Sequence, residues 1–172
     1  RPQTIFQSSE PILSPAWSPD GSRVAYMSFR GKRAGIYVQT LATGEVQKVS
    51  DFPGLNSAPS FSPDGRKLVL TLSRDGNPEL YVANLRTGQL DRMTNHFAID
   101  TEASWSPDGR SILFTSSRGG KPQLYMINVS DKTVKRVTFD GDYNSNGAFT
   151  PDGKSIVFVH RTNERFHIAR MN

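Results

Sequence analysis

The sequence contains no cysteine, which excludes a disulfide framework and a thiolate metal site. It has no apolar run near the ~18–20 residues that a membrane-spanning helix needs. Basic residues outnumber acidic ones by 21 to 16, but no basic run is longer than two, which argues against a nucleic-acid interface. No segment keeps the 3.6-residue period of an amphipathic helix. The chain begins with Arg1 and shows no signal peptide, so we expect it to be part of a longer protein.

The dominant feature of the chain is one ten-residue phrase that occurs four times at constant spacing. SPAWSPDGSR, APSFSPDGRK, EASWSPDGRS and NGAFTPDGKS begin at Ser14, Ala58, Glu102 and Asn146, which places successive copies 44 residues apart. A fixed period of this length is typical of repeat architectures. Because the repeats fill nearly the whole chain, no room remains for a separate catalytic domain.

Each repeat reads as four short strands separated by turns. In the second copy, Pro63-Asp64-Gly65 predicts a turn, followed by β-rich segments at 67–72, 79–83 and 90–94. Four antiparallel strands in 40–50 residues are typical of a β-propeller blade. We label these strands A (innermost) to D (outermost). SPDG joins A to B, an Arg-containing turn joins B to C, and a Gly-containing turn joins C to D.

The predicted fold is therefore an all-β propeller segment with blades at 14–57, 58–101 and 102–145 and an incomplete blade at 146–172. Residues 3–6 align with the D strand of a repeat, so residues 1–13 are predicted to be the outer strand of a preceding blade and its connector. We favour about four blades of a larger ring. The alternative is that residues 1–8 pair with residues 149–170, as in ring closure.

Several motifs suggest chemistry but fail on their spacing. Gly153-Lys154-Ser155 lacks the upstream glycine of a P-loop, since Ala148 stands there. The stretch from Asp142 to Gly147 begins like an EF-hand loop, but Gly153 occupies the position of the bidentate acid. The histidines match no metal-ligand spacing, and no nucleophile elbow is present. The SPDG aspartates and Trp17 recur as repeat positions, which indicates turn formation and packing between blades.

The D–A connectors differ between repeats and converge on one face of a propeller. They are predicted at Ser8–Leu13, Phe52–Ala58, His96–Glu102 and Phe139–Asn146. An apolar ring beside a polar, partly acidic ring there predicts a protein-binding surface. The candidate partner-binding residues are Leu55, Asn56, Ser57, Ala58, Ile99, Asp100, Thr101, Glu102, Tyr143 and Asn144. We predict no cofactor, although a weak cation site using Asp142 or Asp100 remains open.

The whole chain resembles the propeller of the TolB family. The resemblance rests on PILSPAWSPDGSRVAYMSF, IYVQTLATGEVQKVSDFPGLNSAPSFSPDG and LYVANLRTGQLDRMTNHFAIDTEASWSPDG. It implies a six-bladed, non-enzymatic propeller in the Gram-negative periplasm, peripheral to the membrane. It further implies binding of the lipoprotein Pal and other Tol–Pal envelope proteins, and of colicin translocation segments on the same face. The alternatives are a propeller from a prolyl-oligopeptidase-type serine peptidase, or a propeller that binds small ligands.

Overall fold

A computed structural model describes all 172 residues as fifteen β-strands in four antiparallel sheets. The strands of the first blade are β1 (Ile12–Trp17), β2 (Arg23–Ser28), β3 (Gly35–Thr40) and β4 (Val46–Ser50). Those of the second are β5 (Asn56–Phe61), β6 (Lys67–Leu72), β7 (Glu79–Asn84) and β8 (Leu90–Arg92). The third contains β9 (Asp100–Trp105), β10 (Ser111–Ser116), β11 (Gln123–Asn128) and β12 (Val134–Arg136), and the fourth β13 (Tyr143–Phe149), β14 (Ile156–Thr162) and β15 (Arg165–Met171).

Strands neighbour one another within each sheet in chain order, as the sequence predicts for propeller blades. The predicted boundaries at 14, 58, 102 and 146 fall inside the A strands β1, β5, β9 and β13. None of the structure's elements is a helix that is long and apolar enough to cross a membrane.

The hydrophobic core lies between the blades. Alternate residues of a strand point to opposite faces of its sheet. In β6, Leu68, Leu70 and Leu72 therefore pack against the first blade, whereas Val69 packs against the third. Strand β6 is covered on both faces, which explains its nearly continuous apolar sequence.

Close approach of the third and fourth blades depends on Gly147. A Cβ at this position would lie 2.6 Å from Leu113 Cδ2 and 2.9 Å from Leu124 Cδ1. The Gly147 carbonyl also accepts a hydrogen bond of 2.7 Å from Ser104 Oγ on the third blade. A larger residue would force these two sheets apart.

One expectation about the beginning of the chain differs from the structure. Residues 3–6 form no strand, because none of the fifteen strands hydrogen-bonds to them. Phe6 nevertheless packs on Tyr26, with ring centroids 5.0 Å apart, on the side of the first blade that faces away from the second. The predicted packing between blades at the repeat position of Trp17 is confirmed at Trp105, which is buried and donates to Ser60 O of the second blade, whereas Trp17 itself is exposed on the first blade.

Leu70→Ala should lower the free energy of unfolding by about 2–5 kcal/mol, because it removes a fully buried side chain between two rigid sheets. Urea unfolding followed by circular dichroism measures the change. Leu13→Ala is the matched control, since Leu13 is 47% exposed and should cost far less. Equal losses for both variants would contradict the assignment of the core to the space between blades.

Candidate functional site

The candidate site is the end of the blades that carries the D–A connectors and the B–C turns, which we call the connector face. Every A strand bends there at the same repeat position. Ser14, Ala58, Glu102 and Asn146 have φ values of 51°, 51°, 54° and 52°. The pairing with strand B shifts register at these four places. A residue with positive φ beside a register shift is a β-bulge, and it turns the first residues of strand A relative to the rest.

The connectors are shorter than predicted, because strand A extends beyond the bulge. Strand A begins at Asn56, Asp100 and Tyr143, so the last residues assigned to connectors belong to the sheet. Their polar sequences NSAPS and DTEAS lack a clear period-2 pattern, and the bulge interrupts any alternation. The first half of strand A therefore resembles a loop in sequence.

Three candidate contact residues prove to be buried, namely Asn56, Asp100 and Asn144. Asn56 Nδ2 donates to Phe52 O at 2.7 Å, and Asn56 Oδ1 accepts from Phe52 N at 3.2 Å. Asn144 Nδ2 donates to Asp140 O at 2.8 Å. Asn56 and Asn144 therefore hold their own connectors from beneath, and the burial of all three side chains corrects the prediction that they form an exposed polar ring.

Asp100 is the repeat equivalent of Asn56 and Asn144, and it places a carboxylate in the same buried position. Arg118 Nη2 lies 2.5 Å from Asp100 Oδ2, and Arg118 is fixed by a hydrogen bond from its Nε to Ser116 Oγ. Burial raises the pKa of Asp100, while the nearby Arg118 guanidinium opposes that shift. Asp142, the other candidate cation ligand, pairs with Arg161 at 3.0 Å. Each acid thus faces an arginine, and no group of three His, Asp or Glu side chains is placed to hold a metal ion.

The connectors of the second and third blades are also anchored by the first residue of strand C. In the second blade, buried Glu79 accepts hydrogen bonds from Thr94 Oγ1 and, at 2.6 Å, from His96 N. In the third, Gln123 Oε1 accepts from Thr138 Oγ1 at 2.8 Å and from Asn144 Nδ2 at 2.9 Å. The sequence analysis did not predict a role for Glu79 and Gln123. A polar residue at the first position of a largely apolar strand would have pointed to them.

The D–A connectors expose several apolar side chains on the connector face, beside exposed charged residues of the B–C turns. Leu55 and Ile99 are 39% and 51% exposed, as expected of the predicted apolar ring. Phe97 and Phe139, at 86% and 70%, were not predicted because neither has an aromatic counterpart in the other repeats. Tyr143 is half-buried and contacts the edge of the Phe166 ring, with centroids 5.9 Å apart.

The remaining candidates, Ser57, Ala58, Thr101 and Glu102, lie half-buried along the inner strands. Glu102 Oε2 accepts hydrogen bonds from Thr115 Oγ1 at 2.8 Å and from Asn146 N at 3.0 Å. Glu102 therefore links the third blade to the fourth. Thr71 Oγ1 and Thr101 Oγ1 lie 3.4 Å apart across the junction of the second and third blades.

The opposite end of the blades, which we call the turn face, carries the SPDG turns. Ser18 Oγ donates to Asp20 Oδ1 at 2.6 Å and accepts from Arg23 N at 2.9 Å. The corresponding serine or threonine repeats these bonds in every blade. The predicted turn-forming role of these aspartates is therefore confirmed.

Hydrogen bonds from the Ser18 hydroxyl and from Ser22 lower the pKa of Asp20 to about 2. Hydroxyl donors likewise lower the pKa values of Asp64, Asp108 and Asp152. An unfolded Asp has a pKa of about 3.9, so the stabilisation from these groups is present above that value. It is lost as the pH falls through the lower folded-state pKa values, towards 2 for Asp20.

The free energy of unfolding should therefore decline between about pH 4 and pH 2, and Asp20→Asn combined with Asp108→Asn should flatten the decline. Urea unfolding at a series of pH values measures the slope. Glu45→Gln is the control, because the exposed Glu45 carboxylate accepts no hydrogen bond in the structure. An unchanged slope in the double variant would contradict the assignment.

Comparison with known proteins identifies the family. The family model described as the TolB beta propeller domain matches residues 1–172. The chain belongs to the TolB β-propeller domain family. The predicted family and fold are thereby confirmed.

Curated relatives agree with this assignment. The Tol-Pal system protein TolB of Methylococcus capsulatus is 65% identical over 57 residues, which cover 33% of this chain and 13% of that protein. The corresponding protein of Coxiella burnetii is 56% identical over 57 residues, with the same coverage. The matched region is therefore a small part of the relatives' length.

Solved structures match the propeller as a whole. TolB from Acinetobacter baumannii is 48% identical with a TM-score of 0.92, covering 100% of this chain and 43% of that chain. The chain thus spans less than half of that protein. A puromycin hydrolase superposes with a TM-score of 0.82 at 12% identity, covering 97% of this chain and 28% of that chain. At that identity the likeness shows the fold alone.

Proposed function

We propose that this propeller segment is a non-enzymatic binding scaffold of the Tol–Pal envelope system, and that its connector face binds the lipoprotein Pal. The relatives' name, Tol-Pal system protein TolB, supports the system. The observation that carries the binding role is the group of exposed apolar residues Leu55, Ile99, Phe97 and Phe139 on one face. Apolar and aromatic anchors of this kind contribute strongly to protein–protein interfaces.

The connectors that carry these anchors are preorganised. Their main chains are held from below by hydrogen bonds to the buried side chains of Asn56, Glu79 and Gln123. A surface whose backbone is already ordered loses little conformational entropy on binding. We infer that Pal meets a rigid face and that colicin segments use the same anchors.

The proposal places the chain in the periplasm and gives it no catalytic role. The acidic residues that a catalytic site could use have structural roles, since Asp100 and Asp142 pair with arginines and the SPDG aspartates accept hydrogen bonds within their turns. The peptidase interpretation has no support beyond a shared fold.

Ile99→Asp should weaken Pal binding by about tenfold or more, because it places a charge among the apolar anchors. Isothermal titration of the chain with the soluble domain of Pal measures the affinity. Gln89→Asp is the matched control, since it adds the same charge at an exposed position on the turn face and should leave the affinity unchanged. Equal affinities for the two variants would contradict the connector face as the binding surface.

Ala58→Asp and Thr101→Ile should also weaken Pal binding without unfolding the chain. Aspartate tolerates the positive φ of the bulge at position 58 better than alanine does, so the fold should persist. Ser14→Asp is the control for Ala58→Asp, because Ser14 has the same φ of 51° in the first blade, outside the proposed contact residues. The same titration decides the outcome, and full affinity in both Ala58→Asp and Thr101→Ile would refute these two contacts.

A further inference from the structure

A cleft on the turn face, between the first and second blades, concentrates positive charge. Its volume is about 710 Å³, within the range of small-molecule sites. Four of its eight lining residues are cations, namely Arg23, Arg66, Lys67 and Arg86. Leu85 is the one hydrophobic side chain of the lining and Asp64 its one carboxylate. The cleft is therefore suited to an anion rather than to an apolar ligand.

None of these four cations takes part in an ion pair in the structure. Asp64, the one carboxylate of the lining, uses Oδ1 to accept hydrogen bonds from Ser62 Oγ at 2.6 Å and from Arg66 N at 3.0 Å. One Asp64 oxygen is thus engaged within its own turn, and the carboxylate offsets part of the positive charge of Arg66 and Lys67. The charged side-chain groups of Arg66, Lys67 and Arg86 form no ion pair with a carboxylate.

The fourth cation, Arg23, is held in place across the blade junction. Its Nη2 donates to Gly65 O at 2.6 Å, and its guanidinium carbon lies 5.3 Å from the centroid of the Phe61 ring. A Cβ on residue 65 would come within 3.1 Å of Arg23 Nη2, so the glycine there makes room for the guanidinium. One wall of the cleft is thus a preorganised arginine contributed by the neighbouring blade.

This concentration of charge is not a consequence of the repeat. At the junction of the second and third blades, the equivalent positions, one 44-residue repeat later, are Lys67, Arg110, Ser111 and Ser130. Two of the four cations are replaced there by serine. Turn formation and blade packing proceed equally well with serine, so the full set of cations at the first junction calls for another explanation.

We propose that this cleft binds a phosphate-bearing anion with more than one negative group, such as a diphosphate. Guanidinium groups recognise phosphate oxygens through paired N–H donors, and Lys67 adds a point charge. The site lies at the opposite end of the blades from the connector face. It therefore stands independently of the proposed Pal interface, and either can fail without the other.

Isothermal titration of the full chain with inorganic pyrophosphate at fixed ionic strength tests the proposal. We expect saturable binding of one pyrophosphate per chain. Arg66→Gln combined with Arg86→Gln should weaken binding by about tenfold or more, because two charge-assisted contacts are lost. Both side chains are exposed, and thermal unfolding checks that the variant remains folded. Lys67→Gln provides a second, independent variant with the same expected direction.

Arg110→Gln combined with Lys135→Gln is the matched control. It removes the same net charge from exposed positions on the third blade, and Arg110 is the repeat equivalent of Arg66. Unchanged pyrophosphate affinity in this control, together with weakened binding in the cleft variants, supports a specific site. Equal weakening in both pairs, or no saturable binding to the parent chain at millimolar pyrophosphate, overturns the proposal.

A second measurement distinguishes the two sources of such a phosphate. Vesicles containing cardiolipin, which has two phosphate groups, in phosphatidylcholine are sedimented with the chain, with and without pyrophosphate. Sedimentation that pyrophosphate abolishes, and that the Arg66→Gln and Arg86→Gln pair lacks, identifies a lipid headgroup as the ligand. Absence of sedimentation alongside saturable pyrophosphate binding identifies a soluble phosphate compound.

Discussion

Face-to-face packing of neighbouring blades is the interaction on which the rest of this structure depends. No single blade has a core of its own, since Leu68, Leu70 and Leu72 need the first blade and Val69 needs the third. Burial of apolar area between sheets supplies the main stabilisation, and the blades therefore behave as stacked units. The regular spacing of the repeats follows from this constraint, because each sheet must present matching apolar faces on both sides.

A second layer of order comes from buried polar groups at the ends of the strands. Asn56, Glu79 and Gln123 form hydrogen bonds with main-chain groups of the connectors, at Phe52 O, His96 N and Gly141 O respectively. A buried main-chain group left without a hydrogen-bond partner would cost about 1–3 kcal/mol, so these side chains stabilise the connectors. The connectors can then vary in sequence while keeping a defined shape, and exposed Phe97 and Ile99 are displayed on a firm support.

The two ends of the blades differ in chemistry because they differ in what the backbone requires. The turn face repeats one hydrogen-bonded SPDG arrangement in each blade, and its variation is limited to side chains such as Arg66 and Arg86. The connector face has a different polar anchor in each blade and carries exposed apolar residues. The turn face therefore differs between blades mainly in side-chain charge, whereas the connector face differs in the sequence and polar anchor of its connectors.

The sequence by itself determined the strand order, the turn positions and the family. Short β-rich segments, SPDG turns and a constant repeat are local features, so they can be read without knowing which sheets touch. Only the tertiary structure decided which polar residues are buried. Asn56, Asp100 and Asn144 resemble exposed loop residues in sequence, yet the bulge in strand A turns them beneath the connectors. The exposure of Phe97 and Phe139 was decided in the same way, because a connector side chain is buried only where the folded chain places another surface over it.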